Sequence, residues 1–258
     1  MSLPDVHPAF YAVAAFAILL TGITKSGLGA GGAGVAVPLM SLFIAPAHAA
    51  GIMLPVLCAM DVFGWLAYRG RLSRRHLAAL LPGAALGIAI GALAFGALSV
   101  QAVRLLLGAI ALLFPLNHWF RVTERLVARF GARPQPPGRI AGFAWGSLSG
   151  FTSTLAHAGG APFAVYMLPQ RLDKTLLVGT SVVFFLALNY TKLVPYYFLG
   201  QLGPGNLTLA LLFAPLAPLG VRLGVWLHGR MSQALFYRFN SGLLFLTGLK
   251  LVADGIRG

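Results

Sequence analysis

Ala30-Gly31-Gly32-Ala33, with Ala36-Val37 just beyond it, returns as Ala158-Gly159-Gly160-Ala161 with Ala164-Val165, at a single offset of 128 residues (158 − 30). The same offset pairs Gly22 with Gly150, Thr24 with Thr152, Gly51 with Gly179, Asp61 with Asn189 and Tyr68 with Tyr196. Past a short insertion in the second copy, Pro82, Gly87 and Gly91 pair with Pro215, Gly220 and Gly224, and further on Arg104 and Gly108 pair with Arg238 and Gly242. One half of the chain repeats the other, so what the first half builds is expected twice.

The medium for that repeat follows from composition. Of 258 residues, 58% are hydrophobic and 9% charged, against roughly a quarter charged in soluble domains. Apolar stretches recur at 10–20, 47–67, 77–98, 176–199 and 207–227, and several reach the roughly 20 residues that carry a helix across about 30 Å of hydrocarbon. The short alternating segments of a membrane β-barrel are absent. Asp5 and His7 precede the first apolar segment and no Lys or Arg occurs before Lys25, unlike a cleaved signal, so that segment is expected to stay. Cys58 has no partner for an internal disulfide. The formal charge of +14 arises from 19 Lys and Arg against 5 Asp and Glu. These basic residues cluster between apolar spans, as loops on the cytoplasmic side do. No aromatic-interleaved basic surface is present, so nucleic acid is not an expected partner.

Loop charge also gives the sign of the repeat. Arg69, Arg71, Arg74 and Arg75 follow Tyr68, whereas Gly200-Gln201-Leu202-Gly203-Pro204 follows Tyr196 without charge. The linker 45–50 is uncharged, and its counterpart carries Arg171, Asp173 and Lys174. Ser99-Val100-Gln101 is uncharged, and its counterpart region carries His228 and Arg230. Three opposite pairs imply two copies of opposite orientation.

For the inversion to close, the glycine-rich segments must enter and leave on one side. Residues 9–25 are followed, after the glycines, by a run at 33–44 too short to cross comfortably. The second copy runs over 140–154, breaks over 155–160 and resumes at 161–168. The expected fold is all-α and integral to the membrane: two inverted repeats, each a helix–break–helix hairpin plus three transmembrane helices. Residues 1–120 form the first repeat, 121–139 a basic cytoplasmic linker and 140–258 the second. A plain count of eight spans is the competing description.

Non-helical backbone at membrane depth is tolerated where it is buried in protein or lines a wet cavity, and paired breaks mark a transporter's binding site. Glycines there let backbone N–H groups face a ligand, and the resumed helix presents the positive end of its dipole, an arrangement that suits an anion. Gly31, Gly32, Gly159 and Gly160 are therefore candidate binding residues, with Thr24, Lys25 and Ser26 beside the first break and Thr152, Ser153 and His157 beside the second. Close helix packing is the competing use of such glycines, and the expected one for Gly87, Gly91, Gly220 and Gly224. Ionisable residues inside hydrocarbon cost roughly 2.5 to 3.5 kcal/mol each and mark function or a buried pair. Lys25, Asp61 and Lys192 are such residues, and Asn189, Lys192 and Tyr196 share one helical face, as Asp61, Gly64 and Tyr68 do. Asp61 is either a proton-coupling group or a counter-charge to Lys25 or Lys192. Lys192 either binds substrate or snorkels outward.

The stretch Gly22-Ile23-Thr24-Lys25-Ser26-Gly27-Leu28-Gly29-Ala30-Gly31-Gly32 with Val37-Pro38-Leu39, and Asp61 ahead of a basic loop, resembles the first-repeat signature of the TauE/SafE sulfite exporter family. The resemblance covers nearly the whole chain and implies eight helical segments in a multi-pass permease of the bacterial inner membrane. It implies export of a sulfur-containing oxyanion or organosulfonate, such as sulfite or sulfoacetate, with no cofactor. The second hairpin departs from the signature at 152–160, where hydroxyls and His157 replace a close copy of the first. The expected partners are a small anionic substrate, membrane lipid and, if Asp61 titrates, protons. A channel or uniporter for another small carboxylate or oxyanion is the alternative. An enzyme using Ser153 and His157 lacks a glycine-framed nucleophile or a metal cluster, and one intramembrane carboxylate is too little for a cation site.

Overall fold

The computed structural model describes residues 7–29, 36–95 and 138–257, with scattered positions between 99 and 120. Gly31, Gly32, Arg104 and nearly all of the linker at 121–139 lie outside the described residues, as does most of the last span expected in the first repeat. The described elements are α1 (Pro8–Gly27), α2 (Ala36–Met40), α3 (Pro46–Ala67), α4 (Arg74–Ala94), α5 (Arg139–Ala156), α6 (Gly160–Met167), α7 (Lys174–Phe198), α8 (Pro204–Phe213), α9 (Leu216–Arg230) and α10 (Gln233–Arg257). Among the described residues no strand occurs.

Local chemistry explains where several helices begin. Pro8, Pro46 and Pro204 open α1, α3 and α8, where a missing N–H leaves no bond unmade. Asp173, read from sequence as loop charge, caps α7 by accepting the N–H groups of Thr175 at 2.9 Å and Leu176 at 3.3 Å. Helices α1, α3, α4 and α7 are each long and apolar enough to cross a membrane; α8 and α9, bent by 45° at their junction, make a fifth candidate span. That bend was not expected, because its counterpart Pro82 sits inside an unbroken α4. The second copy adds Pro218 to Pro215. Two prolines a turn apart remove two donors, and the chain at the junction falls back on short-range bonds, Ala214 N to Leu211 O and Ala217 N to Ala214 O. Helix α10 has 25 residues but carries Arg238, Lys250 and Asp254, the last two ion-paired at 2.6 Å.

Helix α1 lies along α9, and α5 lies along α4. Both pairs are seated on glycine: a Cβ on Gly22 would stand 2.9 Å from the Gly220 Cα, one on Gly224 2.6 Å from the Ile23 carbonyl oxygen, and one on Gly91 2.9 Å from Thr154 Cβ. Between these pairs α3 packs against α7. The chain doubles back after each of α1 and α5. Phe43, past α2, stacks 6.0 Å from His7 and lies 6.4 Å from Phe10 at the start of α1. Tyr166, near the end of α6, lies against Gly142 near the start of α5, where a Cβ would meet its ring at 3.0 Å.

Loops of like charge meet. The Ser73 N–H donates to Thr180 Oγ1 at 2.9 Å, Lys174 Nζ donates to the His228 and Met231 carbonyls, and the Tyr68 and His228 rings lie 5.7 Å apart. These contacts gather the 69–75, 171–174 and 228–230 segments at one end. At the other, His48 lies 3.3 Å from Asn206, and Asn206 Nδ2 donates to the Gln201 carbonyl at 2.8 Å. At the basic end Arg69 lies over Trp65 at 5.2 Å and Arg230 over Trp226 at 4.0 Å, the arginine–aromatic pairing of an interfacial belt. Large apolar side chains such as Leu93, Phe198 and Leu211 face outward, as a lipid-facing surface requires.

Candidate functional site

Helices α3 and α7 turn their polar faces toward each other. Asp61, Gly64 and Tyr68 are all buried, and so are Asn189, Lys192 and Tyr196, which fits the helical spacing of each trio. Gly64 makes room for the close approach, since a Cβ there would stand 3.2 Å from Val182 Cγ1. Asn189 Nδ2 donates to Asp61 Oδ2 at 2.6 Å, so two residues that occupy the same place in the two halves of the sequence touch. On the other carboxylate oxygen, Lys25 Nζ stands 2.7 Å from Oδ1, an ion pair by distance whose angle is not that of a hydrogen bond. The Lys25 ammonium also lies 5.5 Å from the centre of the Phe185 ring. Asp61 is fully buried, and a carboxylate there is tolerable because Lys25 and Asn189 replace its water.

Among the described residues, Lys192 has no such counter-charge. Its side chain is fully buried rather than snorkelled, and Nζ donates to the Ser153 carbonyl at 3.1 Å, to Ser153 Oγ at 2.9 Å and to His157 Nδ1 at 2.8 Å. Three partners match the three protons of an ammonium, and all three are neutral. The tautomer of His157 follows from its other contact: Nε2 lies 2.8 Å from the Ala50 carbonyl, which can only accept, so Nε2 carries hydrogen and Nδ1 offers its lone pair to Lys192. Both ring nitrogens are committed, so Ser153 and His157 form no nucleophile–base pair. Among the described residues no group of three His, Cys, Asp or Glu is arranged to hold a metal ion.

His157 sits at the break itself. It ends α5 with φ 51°, ψ 28°, its N–H bonded to the Ser153 carbonyl, and α6 starts at Gly160. Histidine tolerates this left-handed conformation better than most residues but not freely; it costs roughly 1 kcal/mol. The two ring bonds hold it there. At the equivalent position past α1, Gly29 has φ 74° and faces Leu177 and Ser181 of α7, a conformation that favours a residue without Cβ.

The C-terminal ends of α1 and α5 are braced alike. Tyr68 OH donates to the Ser26 carbonyl at 2.5 Å, and Tyr196 OH to the Thr154 carbonyl at 2.7 Å. Thr24 Oγ1 donates to the Leu20 carbonyl at 2.9 Å, and Thr152 Oγ1 to the Leu148 carbonyl at 2.8 Å. The threonine protons are therefore spent within their own helices. Gly159 is enclosed: its carbonyl accepts from Ser149 Oγ at 2.7 Å, and a Cβ on it would stand 2.6 Å from the Ser149 carbonyl oxygen. Close packing thus accounts for Gly159. Of the residues singled out from sequence, Lys25, Asp61, Asn189, Lys192, Ser153 and His157 join in two adjoining hydrogen-bonded groups, while Thr24, Ser26 and Thr152 brace the helices that carry them.

The sulfite exporter TauE/SafE family model matches residues 14–251. The chain belongs to this family. No curated protein and no solved structure matches it. As a TauE/SafE protein it is a multi-pass membrane transporter of sulfite-type anions and not an enzyme. The matched span takes in every residue of both buried groups.

Three contributors to this TauE/SafE site escaped sequence reading. Ala50 acts through its carbonyl, which no side-chain pattern reveals. Ser149 lies one turn before Ser153 on the buried face of α5, a spacing that did offer a signal. His228 was read as a marker of loop charge, yet it is buried, with Nδ1 2.9 Å from the Gly27 carbonyl and Nε2 3.2 Å from Thr175 Oγ1.

Proposed function

We propose that this TauE/SafE protein exports a sulfur-containing anion, sulfite or a small organosulfonate, across the bacterial cytoplasmic membrane, and that the anion binds at Lys192, Ser153 and His157. One observation carries the assignment of the site: Lys192, a fully buried basic side chain, is held by a carbonyl, a hydroxyl and an imidazole and, among the described residues, by no carboxylate. An uncompensated charge in low dielectric is expensive, and an anion that displaced Ser153 Oγ and His157 Nδ1 would lower that cost while gaining charge-assisted hydrogen bonds. The Ser153 hydroxyl then remains at hand to donate to another of the anion's oxygens.

Each copy of the inverted repeat is read as a helix–break–helix hairpin followed by its full spans. The matched Tyr68 and Tyr196 bonds, the matched threonine bonds and the reciprocal packing of α1 on α9 and α5 on α4 support that reading. The Asp61–Asn189 contact, made between equivalent positions, then lies on the axis relating the copies and so near the membrane midplane, with Lys192 one turn away. We read Asp61 as the counter-charge that lets Lys25 close the first hairpin against α3, because both of its carboxylate oxygens are occupied. The basic loops at 69–75 and 171–174 face the cytoplasm under this reading.

The test is flux of sulfite and a small sulfonate into proteoliposomes, with and without an imposed pH gradient. Saturable uptake of either, unaltered by the gradient, is expected. Uptake no faster than into empty liposomes overturns the function, and uphill uptake driven by the gradient transfers Asp61 to a proton-coupling role.

A further inference from the structure

Lys192, Ser153 and Asn189 are all buried, so an anion reaches them only if packed helices part. The packing shows where they can. Among the described residues, the inward apolar side chains of α1, α2, α3, α8 and α9 form one continuous cluster, and those of α4, α6 and α7, with Trp145 of α5 against them, form another. Within each group backbones touch at glycine: a Cβ on Gly224 would stand 2.6 Å from the Ile23 carbonyl oxygen, and one on Gly87 1.9 Å from the Ser147 carbonyl oxygen. The tyrosine braces also fall inside the groups, Tyr68 at the end of α3 on Ser26 of α1 and Tyr196 of α7 on Thr154 of α5. Because Pro82, Gly87 and Gly91 of α4 pair with Pro215, Gly220 and Gly224, each group takes three successive helices from one half of the chain and its last from the other.

The seam between the groups is of a different kind. It holds the Asn189–Asp61 and His157–Ala50 bonds and, at the basic end, the bonds of Lys174 and Thr175 to the end of α9. A smaller cluster spans it there, with Leu28, Tyr68 and Met231 on one side and Leu177, Val178 and Val182 on the other. Toward the opposite end the Tyr196 ring crosses it to join the first cluster. Two crossings of the chain over the seam are sharply placed. Tyr68 is tied to α1, while the Arg71 carbonyl already lies against Gly179 of α7, where a Cβ would stand 1.7 Å from its oxygen. Tyr196 is tied to α5, while the Gln201 carbonyl already lies against Gly51 of α3, where a Cβ would stand 2.4 Å from its oxygen. Between these anchors sit Gly70 with φ 78° and Gly200 with φ 70°, each in open space.

We infer that the carrier works as two composite bodies, α1–α3 with α8–α9 and α5–α7 with α4, which rock about Gly70 and Gly200 and open the seam to Lys192 first at one end and then at the other. This rests on the reading of Lys192 as the anion site. A hinge is a short loop position that absorbs large changes in φ and ψ, which glycine does without steric penalty. Parting a body internally would separate close-packed backbones along whole helices, whereas the seam closes on side chains and a few hydrogen bonds that can be remade.

The experiment compares two cadmium bridges in proteoliposomes holding the full chain with Cys58→Ala. Thr175→Cys sets a thiol beside His228 across the seam, since Thr175 Oγ1 lies 3.2 Å from His228 Nε2. Asn206→Cys sets one beside His48 inside the first body, since Asn206 Oδ1 lies 3.3 Å from His48 Nδ1. Protection of each thiol from maleimide shows that its bridge has formed. Thiolate and imidazole together hold cadmium, and the metal is expected to slow sulfite uptake by at least about tenfold in Thr175→Cys, with recovery on chelation. The Asn206→Cys variant is expected to keep its metal-free rate. A formed bridge at Thr175→Cys that leaves uptake unchanged overturns the rocking, and inhibition by both bridges overturns the division into bodies. Ser181→Cys gives a readout that needs no substrate. Ser181 is buried at the seam against Gly29, and a thiol there is expected to react with a methanethiosulfonate, whereas one from Ala17→Cys, in the core of the first body, is expected to stay inert. Labelling at 181 without anion uptake leaves the two bodies standing and overturns transport through Lys192. A thiol at 181 as inert as one at 17 overturns the two bodies.

Discussion

Replacing Lys192 by Met separates a substrate ligand from a structural one. The substitution keeps an unbranched side chain, one atom shorter, and removes the charge. Three hydrogen bonds are lost, at 2.8, 2.9 and 3.1 Å; the Ser153 carbonyl keeps the His157 N–H as a donor, and His157 Nδ1 is left without one, at about 1 to 3 kcal/mol. Against this, about 2.5 to 3.5 kcal/mol of cost for an uncompensated intramembrane cation disappears. The two effects are of similar size and opposite sign, so the fold is expected to survive with a thermal midpoint close to wild type. Substrate binding has no such offset. A hydrogen bond to a charged group is worth about 1.5 to 3 kcal/mol, which converts to a rise in KM of about 10- to 150-fold. Initial-rate uptake over a range of sulfite concentrations, with melting of the same detergent preparation, measures both. An unchanged KM in a well-folded variant refutes the site, and so does a variant that unfolds outright, because Lys192 would then be a structural residue.

Asp61→Asn has the opposite signature. It strands the Lys25 ammonium in a buried position, and a melting experiment is expected to show about 3 to 5 kcal/mol of destabilisation; Lys25→Met with Asp61→Asn is expected to recover most of it. Tyr68→Phe and Tyr196→Phe each delete one hydroxyl bond to a break-side carbonyl, and each is expected to cost about 1 kcal/mol. Similar losses in the two variants support equivalence of the halves, and a large loss in one alone argues against it. A cysteine placed at Gln201, in a chain whose Cys58 is replaced by Ala, is expected to react with an impermeant maleimide from outside the cell and one at Arg71 from inside. The reverse pattern overturns the orientation.

Much of the scaffold could be read along the chain because an offset of 128 is a statement about equivalent places. It put Asp61 opposite Asn189 and Tyr68 opposite Tyr196 before any contact was known, and the structure brings the first pair to 2.6 Å. Loop charge likewise sorted the segments that meet at each end. What spacing along one helix cannot supply is the partner on another. Asp61 had two candidate cations, and only the packing of α1 against α3 selects Lys25. Lys192 was open to snorkelling, and only the packing of α5 against α7 places Ser153 and His157 over its side-chain nitrogen. The bend between α8 and α9 is not legible from the repeat because Pro215 pairs with Pro82, which α4 accommodates unbroken, while Pro218 has no counterpart in the first copy. His228 was missed because a basic residue at a helix end looks the same in sequence whether it faces water or a buried carbonyl.

The most direct measurement is an experimental structure of the full chain in lipid with a small monoanionic sulfonate bound. The expected result is sulfonate oxygen within about 3 Å of Lys192 Nζ, with Ser153 Oγ and His157 Nδ1 displaced from that nitrogen and the Lys25–Asp61 pair intact. A sulfonate held elsewhere, with Lys192 still bonded to Ser153 and His157, would contradict it.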